Sequence, residues 1–246
     1  MKRNHFLKTI GLSGLFVSIF SLKSFTLLQE KFSRNQLIGK GNPDIIGDSY
    51  TSKMHKEAKM AFLKMKSEAK KEGINIEVVS AYRSFQKQKE IFERKYRKFT
   101  SQGLNPSEAI NKIIEYSTIP GTSRHHWGTD IDIIDGNLPR PKSVLEEDNF
   151  YGNGPYCKLK EWLNIHSEDF GFYEVYTNNP NRKGFKYEPW HFSYAPVSKP
   201  MLQEYKKLNL KAILKEEKVL GNEYFSEEFI QKYRNQNILD INPKLL

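Results

Sequence analysis

Histidine and carboxylate residues are concentrated in two separated stretches of this sequence. The first stretch, residues 120–133, reads PGTSRHHWGTDIDI, and the second, residues 187–192, reads YEPWHF. A catalytic zinc site requires three protein ligands and one open position for water, and histidine with a carboxylate is a common ligand set. The two stretches together therefore predict a metal site of the kind that activates water.

Spacing within the first stretch leaves the choice of ligands open. Asp130 and Asp132 are two residues apart, so they share one face of a β-strand. His125 and His126 are adjacent, and a turn at Gly128 could bring a histidine of the loop back against the following strand. Residue types and spacing predict the site without choosing within either pair.

In the second stretch, Glu188 and His191 are three residues apart. If His191 binds a metal, Glu188 could lie within reach of the water that the metal activates and accept its proton. The alternative is that His191 only packs against Trp190. The presence of both stretches favours the metal site.

Three separated motifs resemble those of the zinc D-alanyl-D-alanine carboxypeptidases of the VanY type. The family pattern Ser-x-His-x-x-Gly-x-x-x-Asp is followed much later by Glu-x-x-His and preceded by a Tyr-Arg-Ser element. The matching residues are Ser123, His125, Gly128 and Asp132, then Glu188 and His191, and upstream the segment 81–84 with Gln88 where the family often has Gln. The resemblance covers about residues 52 to 197.

The resemblance implies a role for each of these residues. His125, Asp132 and His191 would bind Zn²⁺, and Glu188 would be the catalytic base. Arg83 would act in catalysis and substrate binding, by stabilising an oxyanion or holding a substrate carboxylate; the alternative for Arg83 is a surface ion pair. The resemblance further implies that Ser123 and Gln88 place the substrate. Asp130 departs from the family, whose members commonly have a small residue such as Ala there.

Periodicity predicts helices and strands in alternation along the chain. We expect helices over residues 52–71, 84–99, 106–114 and 156–166, and strands over residues 74–80, 129–134, 170–176 and 185–194. The last strand would carry Glu188 and His191. The fold class that the resemblance implies is α+β, with a small, mainly antiparallel sheet that carries the metal site and is flanked by helices, similar to the D,D-peptidase and hedgehog folds.

Four segments are predicted along the chain. Residues 1–30 form a signal peptide or N-terminal anchor, because Lys2, Arg3 and Lys8 precede an apolar run of residues 10–22. Residues 31–51 are polar and contain several Gly, which predicts a linker. Residues 52–197 would be the zinc carboxypeptidase domain, and residues 198–246 a helical C-terminal extension. The protein is expected to be exported to the periplasm or cell envelope.

The composition of the chain limits the classes of partner that we expect. The net charge is +10, but the lysines are scattered and form no recognition stripe, so we expect no nucleic acid partner. Membrane contact is expected only through an uncleaved N-terminal anchor. Cys157 is the single cysteine, which excludes an internal disulfide and a cysteine metal cluster.

The function that the resemblance implies is removal of the terminal D-alanine from peptidoglycan stem peptides. An L,D-carboxypeptidase, a dipeptidase or a wall-peptide endopeptidase could use the same site. A non-catalytic, zinc-stabilised wall-binding module is the alternative from another class, and Glu188 argues against it because a binding module needs no base.

Overall fold

The computed structural model describes residues 31–246, so the predicted signal peptide or anchor, residues 1–30, lies outside the described residues. Helices and strands are mixed along this part of the chain. None of the helices within residues 31–246 has the length and apolar character needed to cross a membrane.

Four strands form the main sheet in the order β3-β4-β6-β5, and every neighbouring pair is antiparallel. Two shorter strands, β1 and β2, form a separate antiparallel ladder. The predicted α+β class with a small antiparallel sheet is confirmed. The strands are β1 (Ile45–Ile46), β2 (Met54–His55), β3 (Ile76–Ser80), β4 (Asp130–Asp135), β5 (Phe172–Glu174) and β6 (His191–Tyr194).

Eight α-helices lie within residues 31–246. Helices α2 and α5 contribute to one hydrophobic cluster with the sheet, and α1, α3, α4 and α6 to α8 build a second cluster. The helices are α1 (Arg34–Ile38), α2 (Lys56–Lys71), α3 (Phe85–Ser101), α4 (Pro106–Ile114), α5 (Cys157–His166), α6 (Ala195–Tyr205), α7 (Leu210–Glu216) and α8 (Glu227–Tyr233).

Helices α3 and α4 begin within one residue of their predicted starts at residues 84 and 106. The Ser84 hydroxyl accepts a hydrogen bond from the Lys87 amide and caps α3. Asn105 and Glu108 form a capping box at the start of α4, with Pro106 at its first position. Both predictions are confirmed because a cap depends on residues only three positions apart.

The side chains of strands β4 and β6 alternate between the hydrophobic core and the site. Ile131 and Ile133 of β4 and Phe192 of β6 belong to the cluster formed with α2 and α5. The alternate residues of each strand face the other side of the sheet. This alternation is what leaves Asp130, Asp132 and His191 together on one face.

The predicted linker over residues 31–51 is wrong, because much of it belongs to the fold. Helix α1 begins with a capping box at Ser33 and ends at Gly39, and Leu37 and Ile38 are buried in the second cluster. β1 pairs with β2, so α2 begins at residue 56 rather than at residue 52. Long-range packing outweighs the polar composition of this segment.

The predicted strand over residues 185–194 is also too long. β6 begins at His191, and Glu188 precedes it in a loop. Pro189 has no amide hydrogen to donate to a ladder, and the His191 amide donates to the Glu188 carbonyl across a tight turn. Glu188 is therefore held by the turn rather than by the sheet.

Residues 198–246 are helical, although α6 crosses the predicted boundary at residues 197 and 198. Helices α7 and α8 follow, and a π-helical turn spans Arg234–Ile238. Leu214, Phe225 and Tyr233 are among the buried residues of this segment. The extension is thus part of the second hydrophobic cluster.

Candidate active site

Strand pairing places two of the predicted ligands side by side. Asp132 of β4 lies opposite His191 of β6, and Asp132 Oδ1 is 3.7 Å from His191 Nδ1. His125, from a short 3₁₀ helix before β4 (Arg124–Trp127), reaches the same point, with Nε2 at 3.4 Å from Asp132 Oδ2. One potential ligand atom from each of the three residues lies within 4.8 Å of the other two, and all three residues are buried.

A set of backbone contacts holds His125 in place. Its Nδ1 is 2.8 Å from the Ala81 carbonyl oxygen, and the Arg83 amide donates to the His125 carbonyl at 3.0 Å. Gly128 follows with φ of +69°, and a Cβ there would lie 2.2 Å from Ile45 Cδ1. A turn that only glycine fits therefore returns the chain to β4.

His126 points away from the predicted ligands. Its Nδ1 is 2.6 Å from the Arg83 carbonyl oxygen, and its Nε2 accepts a hydrogen bond from the Gly121 amide. Burial lowers the pKa of His126 to about 4, so the ring is neutral at pH 7. Its two nitrogens are used to join the loop to Arg83 and Gly121.

The two nitrogens of His191 have different surroundings. Nε2 is 3.0 Å from Asp130 Oδ2, and Nδ1 is 2.8 Å from Glu188 Oε2. Burial alone would lower the pKa of His191, but the hydrogen bonds to Asp130 and Glu188 and the charge of Asp132 outweigh it and raise the pKa to about 10. A metal ion at Nδ1 would replace the proton there.

The donor set fits a metal ion. Asp132 Oδ1 is buried and has no hydrogen-bond partner among residues 31–246, which is costly for a carboxylate oxygen unless another group pairs with it. Burial raises the pKa of Asp132 to about 6 and holds the pKa of His125 well below its usual range. A neutral imidazole and an unpartnered carboxylate oxygen are what a zinc ion takes as ligands.

Arg83 lies at the edge of this cluster, just beyond the end of β3. Its Nη1 donates to Gln88 Oε1 at 3.1 Å and its Nη2 to Ser80 Oγ at 3.2 Å. Tyr50 adds a longer contact to Nη2 at 3.4 Å. Within residues 31–246 the guanidinium has no carboxylate partner within 4.0 Å, so the alternative of a surface ion pair is not what the structure shows.

Gln88 is not among the residues that line the cleft, and its part in placing the substrate stays a prediction. Gln88 is fully buried, and its amide nitrogen donates to the Thr118 carbonyl oxygen at 2.7 Å while its oxygen accepts from Arg83. Its polar atoms are therefore used inside the protein. Ser123, in contrast, lines the cleft beside His125.

The cluster opens into a cleft of about 520 Å³. Tyr116 and Lys186 meet across one end, where Lys186 Nζ donates to the Tyr116 hydroxyl at 2.7 Å. Tyr176 packs edge-on against the His191 ring, with centroids 5.1 Å apart. Sequence reasoning missed these lining residues because no short motif connects them. The remaining lining residues include Thr118, Arg124, Leu145, Glu146, Glu147, Phe185, Tyr187 and Trp190.

Comparisons with known proteins agree with this geometry. A profile of the VanY family, described as D-alanyl-D-alanine carboxypeptidase, matches residues 51–197. An uncharacterized protein of Haemophilus influenzae is 36% identical over 105 residues, which are 42% of this chain and 80% of that protein. A D-alanyl-D-alanine carboxypeptidase of Enterococcus faecalis is 28% identical over 130 residues, which are 52% of this chain and 43% of that protein.

Thus the matched region spans less than half of the E. faecalis relative. Among solved structures, VanYB in complex with D-alanine-D-alanine is 22% identical, with a TM-score of 0.50 over 72% of this chain and 90% of that chain. At this identity the likeness shows a shared fold. The profile match covers more than half of the sequence and includes every residue of the predicted site. The chain therefore belongs to the VanY family of D-alanyl-D-alanine carboxypeptidases.

Proposed function

We propose that this protein is a zinc metallopeptidase that removes the terminal D-alanine from peptidoglycan stem peptides. The observation that carries the proposal is the buried cluster of His125, Asp132 and His191, with Glu188 in contact with one of its members. The cluster opens into a cleft that could hold the end of a peptide. Family membership supports peptide hydrolysis as the reaction.

His125 Nε2, Asp132 and His191 Nδ1 would hold the ion. Zinc bound there would polarise the scissile carbonyl and lower the pKa of a bound water toward ~7. The other nitrogen of each histidine already has a hydrogen-bond partner. His125 Nδ1 faces the Ala81 carbonyl, and His191 Nε2 faces Asp130. Each ring therefore presents one nitrogen to the cluster.

Glu188 is the residue placed to move protons. Its carboxylate lies on the cleft side of His191, and its side chain is 29% exposed, so it is reachable by water and substrate. In the proposed reaction, Glu188 accepts a proton from the attacking water and then donates it to the leaving amine of D-alanine. The turn through Pro189 fixes its distance from His191.

Arg83 is the residue placed to stabilise negative charge. Gln88 and Ser80 hold two of its nitrogens, and its Nε is buried without a partner among the described residues. Its guanidinium would donate to the oxygen that becomes negative during the attack, or to the terminal carboxylate of the substrate. Ser123 lines the same cleft and would add a hydroxyl.

Export to the cell envelope belongs to the same proposal, since stem peptides are found there. It depends on residues 1–30 acting as a signal peptide or anchor. The same site could instead cut an L,D bond, hydrolyse free D-alanyl-D-alanine or cleave within a cross-link, and the reaction products separate these possibilities.

The test is mass spectrometry of purified muropeptides after incubation with the zinc-loaded protein. We expect loss of one alanine from pentapeptide stems, and we expect Glu188→Gln to lower the rate by about 10²- to 10⁴-fold. Glu161→Gln, an exposed carboxylate of α5, is the matched control and should leave the rate unchanged. Removal of metal by a chelator should abolish the reaction in both active proteins.

Other products would assign another bond. Loss of alanine from tetrapeptide stems would identify an L,D-carboxypeptidase, and hydrolysis of added D-alanyl-D-alanine with unchanged muropeptides would identify a dipeptidase. If zinc binds with one ion per chain and neither the muropeptides nor D-alanyl-D-alanine is hydrolysed, the proposed function fails, which leaves a binding module or a substrate outside the wall.

A further inference from the structure

Asp130 is a carboxylate buried completely within the sheet, two residues from a proposed metal ligand. Its Oδ2 accepts hydrogen bonds from Arg124 Nε at 2.8 Å and from His191 Nε2 at 3.0 Å. Its Oδ1 accepts from Ser193 Oγ at 2.6 Å and from Thr129 Oγ1 at 2.9 Å. A buried carboxylate is tolerated only when it is paired and hydrogen-bonded, and here four donors satisfy it.

Strand register supports the same arrangement. Asp130 lies opposite Ser193 across β4 and β6, as Asp132 lies opposite His191. Arg124 Nη2 also donates to Ser193 Oγ at 2.7 Å, so Arg124, Ser193 and Asp130 form a closed triangle of hydrogen bonds. The Arg124 guanidinium lies over the Trp127 ring at 4.9 Å and is only 5% exposed. Asp130 has little freedom to turn away from His191.

The contact with Asp130 affects the tautomer and the orientation of the His191 ring. An imidazole that binds a metal through one nitrogen commonly donates its other N–H to a carboxylate, which fixes the tautomer and the ring orientation. Here the contact to Asp130 is made by Nε2, and Nδ1 faces Asp132 and Glu188. The positive charge of Arg124 offsets the negative charge of Asp130, so the carboxylate can act on His191 without adding a net charge to the cluster.

We propose that Asp130 is a positioning residue that holds the Nε2–H of His191 and so directs Nδ1 to the metal, with Arg124 and Ser193 fixing Asp130. The inference rests on the proposed metal site. It assigns a role to the residue at which this chain departs from the family pattern. Asp130 would contact neither the ion nor the substrate and would act only through His191.

The experiment compares zinc affinity in Asp130→Asn and Asp135→Asn, measured by competition with a chromophoric chelator. Asp135 is a matched control, because it is buried on the same strand and its Oδ1 accepts from the amides of Asn75 and Asn137 rather than from His191. We expect Asp130→Asn to weaken zinc binding by about 10- to 100-fold, whereas Asp135→Asn should bind zinc as the wild type does. Circular dichroism checks that each variant is folded.

Asp130→Asn leaves Arg124 buried without a charge partner, which can prevent folding. The double variant Arg124→Met/Asp130→Ala removes both charges together. It allows zinc binding to be measured if Asp130→Asn does not fold. It should fold and show the same weakened zinc binding. A double variant that binds zinc as tightly as the wild type would overturn the inference.

A second measurement does not depend on affinity. Long-range ¹H–¹⁵N spectra of the zinc-loaded wild type should show the proton of His191 on Nε2, and a proton on Nδ1 would overturn the inference. Zinc affinity unchanged in a folded Asp130→Asn variant would overturn it while leaving the metal site in place. A wild-type protein that binds no zinc would overturn the proposed function as well.

Discussion

The part of the chain that matches the family profile and the parts outside it contribute differently to the site. Residues 51–197 contain every side chain proposed to act in catalysis or metal binding. Residues 31–50 and 198–246 contain none of them, yet they pack into the second hydrophobic cluster and contact the loops that border the cleft. Contacts that hold the loops around the cleft therefore come in part from outside the region that supplies the chemistry.

The 117–123 loop, which leads to Ser123, is held by the C-terminal segment. The Tyr233 hydroxyl accepts a hydrogen bond from the Ile119 amide at 3.1 Å and lies 2.8 Å from Thr122 Oγ1. Since Thr122 donates its own hydrogen to the Ile119 carbonyl, Tyr233 donates to Thr122. Tyr205 adds a bond to the Gly121 carbonyl at 2.7 Å. The C-terminal extension thus fixes the loop that precedes His125.

The 177–187 loop, on the side of the cleft that carries Glu188, has a second set of contacts with the same segment. Asp240 accepts hydrogen bonds from the amides of Lys183 at 2.6 Å and Gly184 at 3.1 Å. The Asn242 amide donates to the Val175 carbonyl, just before this loop. The C-terminal segment therefore contacts both of these loops.

The N-terminal segment acts on the same region from α1. Trp127 Nε1 donates to the Leu37 carbonyl at 3.0 Å, and the Phe85 amide donates to the Gly39 carbonyl at 2.8 Å. Gly39 also lies against His126, so closely that a Cβ would be 2.4 Å from Nδ1. The segment first expected to be a linker reaches the loop that carries the proposed ligand His125.

The largest expected effect comes from ending the chain after Lys206. This removes ten buried apolar side chains, each of which contributes roughly 1.5–3 kcal/mol to the free energy of unfolding. Their total exceeds the typical stability of a protein, about 5–15 kcal/mol. We expect loss of the cooperative thermal unfolding transition and of activity, relative to a matched chain of residues 31–246. A truncated protein that folds and stays active would show that the extension is an accessory. The buried residues removed are Leu210, Ile213, Leu214, Val219, Phe225, Ile230, Tyr233, Ile238, Ile241 and Leu245.

A smaller effect is expected from Tyr233→Phe, which leaves the ring in place and removes only its hydroxyl. The buried Ile119 amide then has no acceptor, which should lower the free energy of unfolding by about 1–3 kcal/mol in urea titrations. We also expect KM to rise while kcat changes less, because the 117–123 loop would place Ser123 less accurately. Tyr224→Phe in the same segment is the control, since Tyr224 is 43% exposed. Equal KM values in both variants would count against positioning by Tyr233.

The smallest effect is expected from Asp240→Ala. Asp240 accepts from two amides near the surface, so its loss should lower the free energy of unfolding by about 0.5–1.5 kcal/mol. The clearer measurement is amide hydrogen exchange, which should become faster at Lys183 and Gly184. Asp169→Ala removes a carboxylate whose side chain is 73% exposed and serves as the control. Unchanged exchange at both amides would mean that the loop is held by other contacts.

Elements specified by nearby residues could be predicted from the sequence, and those specified by distant residues could not. The starts of α3 and α4 follow from Ser84 and Asn105, whose caps lie within four residues. Helix α1 was missed because its stability comes from burying Leu37 and Ile38 against helices far along the chain. The start of the strand that contains His191 was predicted too early, because Pro189 and a single turn override the apolar pattern.

The candidate site, too, could be predicted in part from nearby residues, and the rest depends on distant ones. Residue types and spacing predicted a metal site, and the resemblance selected among its histidines and carboxylates. Geometry then separated the pairs that spacing left open, since His126 bonds to Arg83 and Gly121 whereas His125 faces Asp132. Asp130 and Asp132 do share one face, but only the position of Arg124 and Ser193 shows that Asp130 is already paired. Those partners lie 6 and 63 residues away and leave no local signal.

The antiparallel register of β4 and β6 also limits how this protein can change in length. Insertion or deletion of one residue within either strand would exchange the two faces of everything beyond it. Ile131 and Ile133 would then enter the cleft while Asp130 and Asp132 entered the apolar core. Such a change removes the site and the core in one step. Length variation among relatives is therefore expected in the loops around the cleft and not in these two strands.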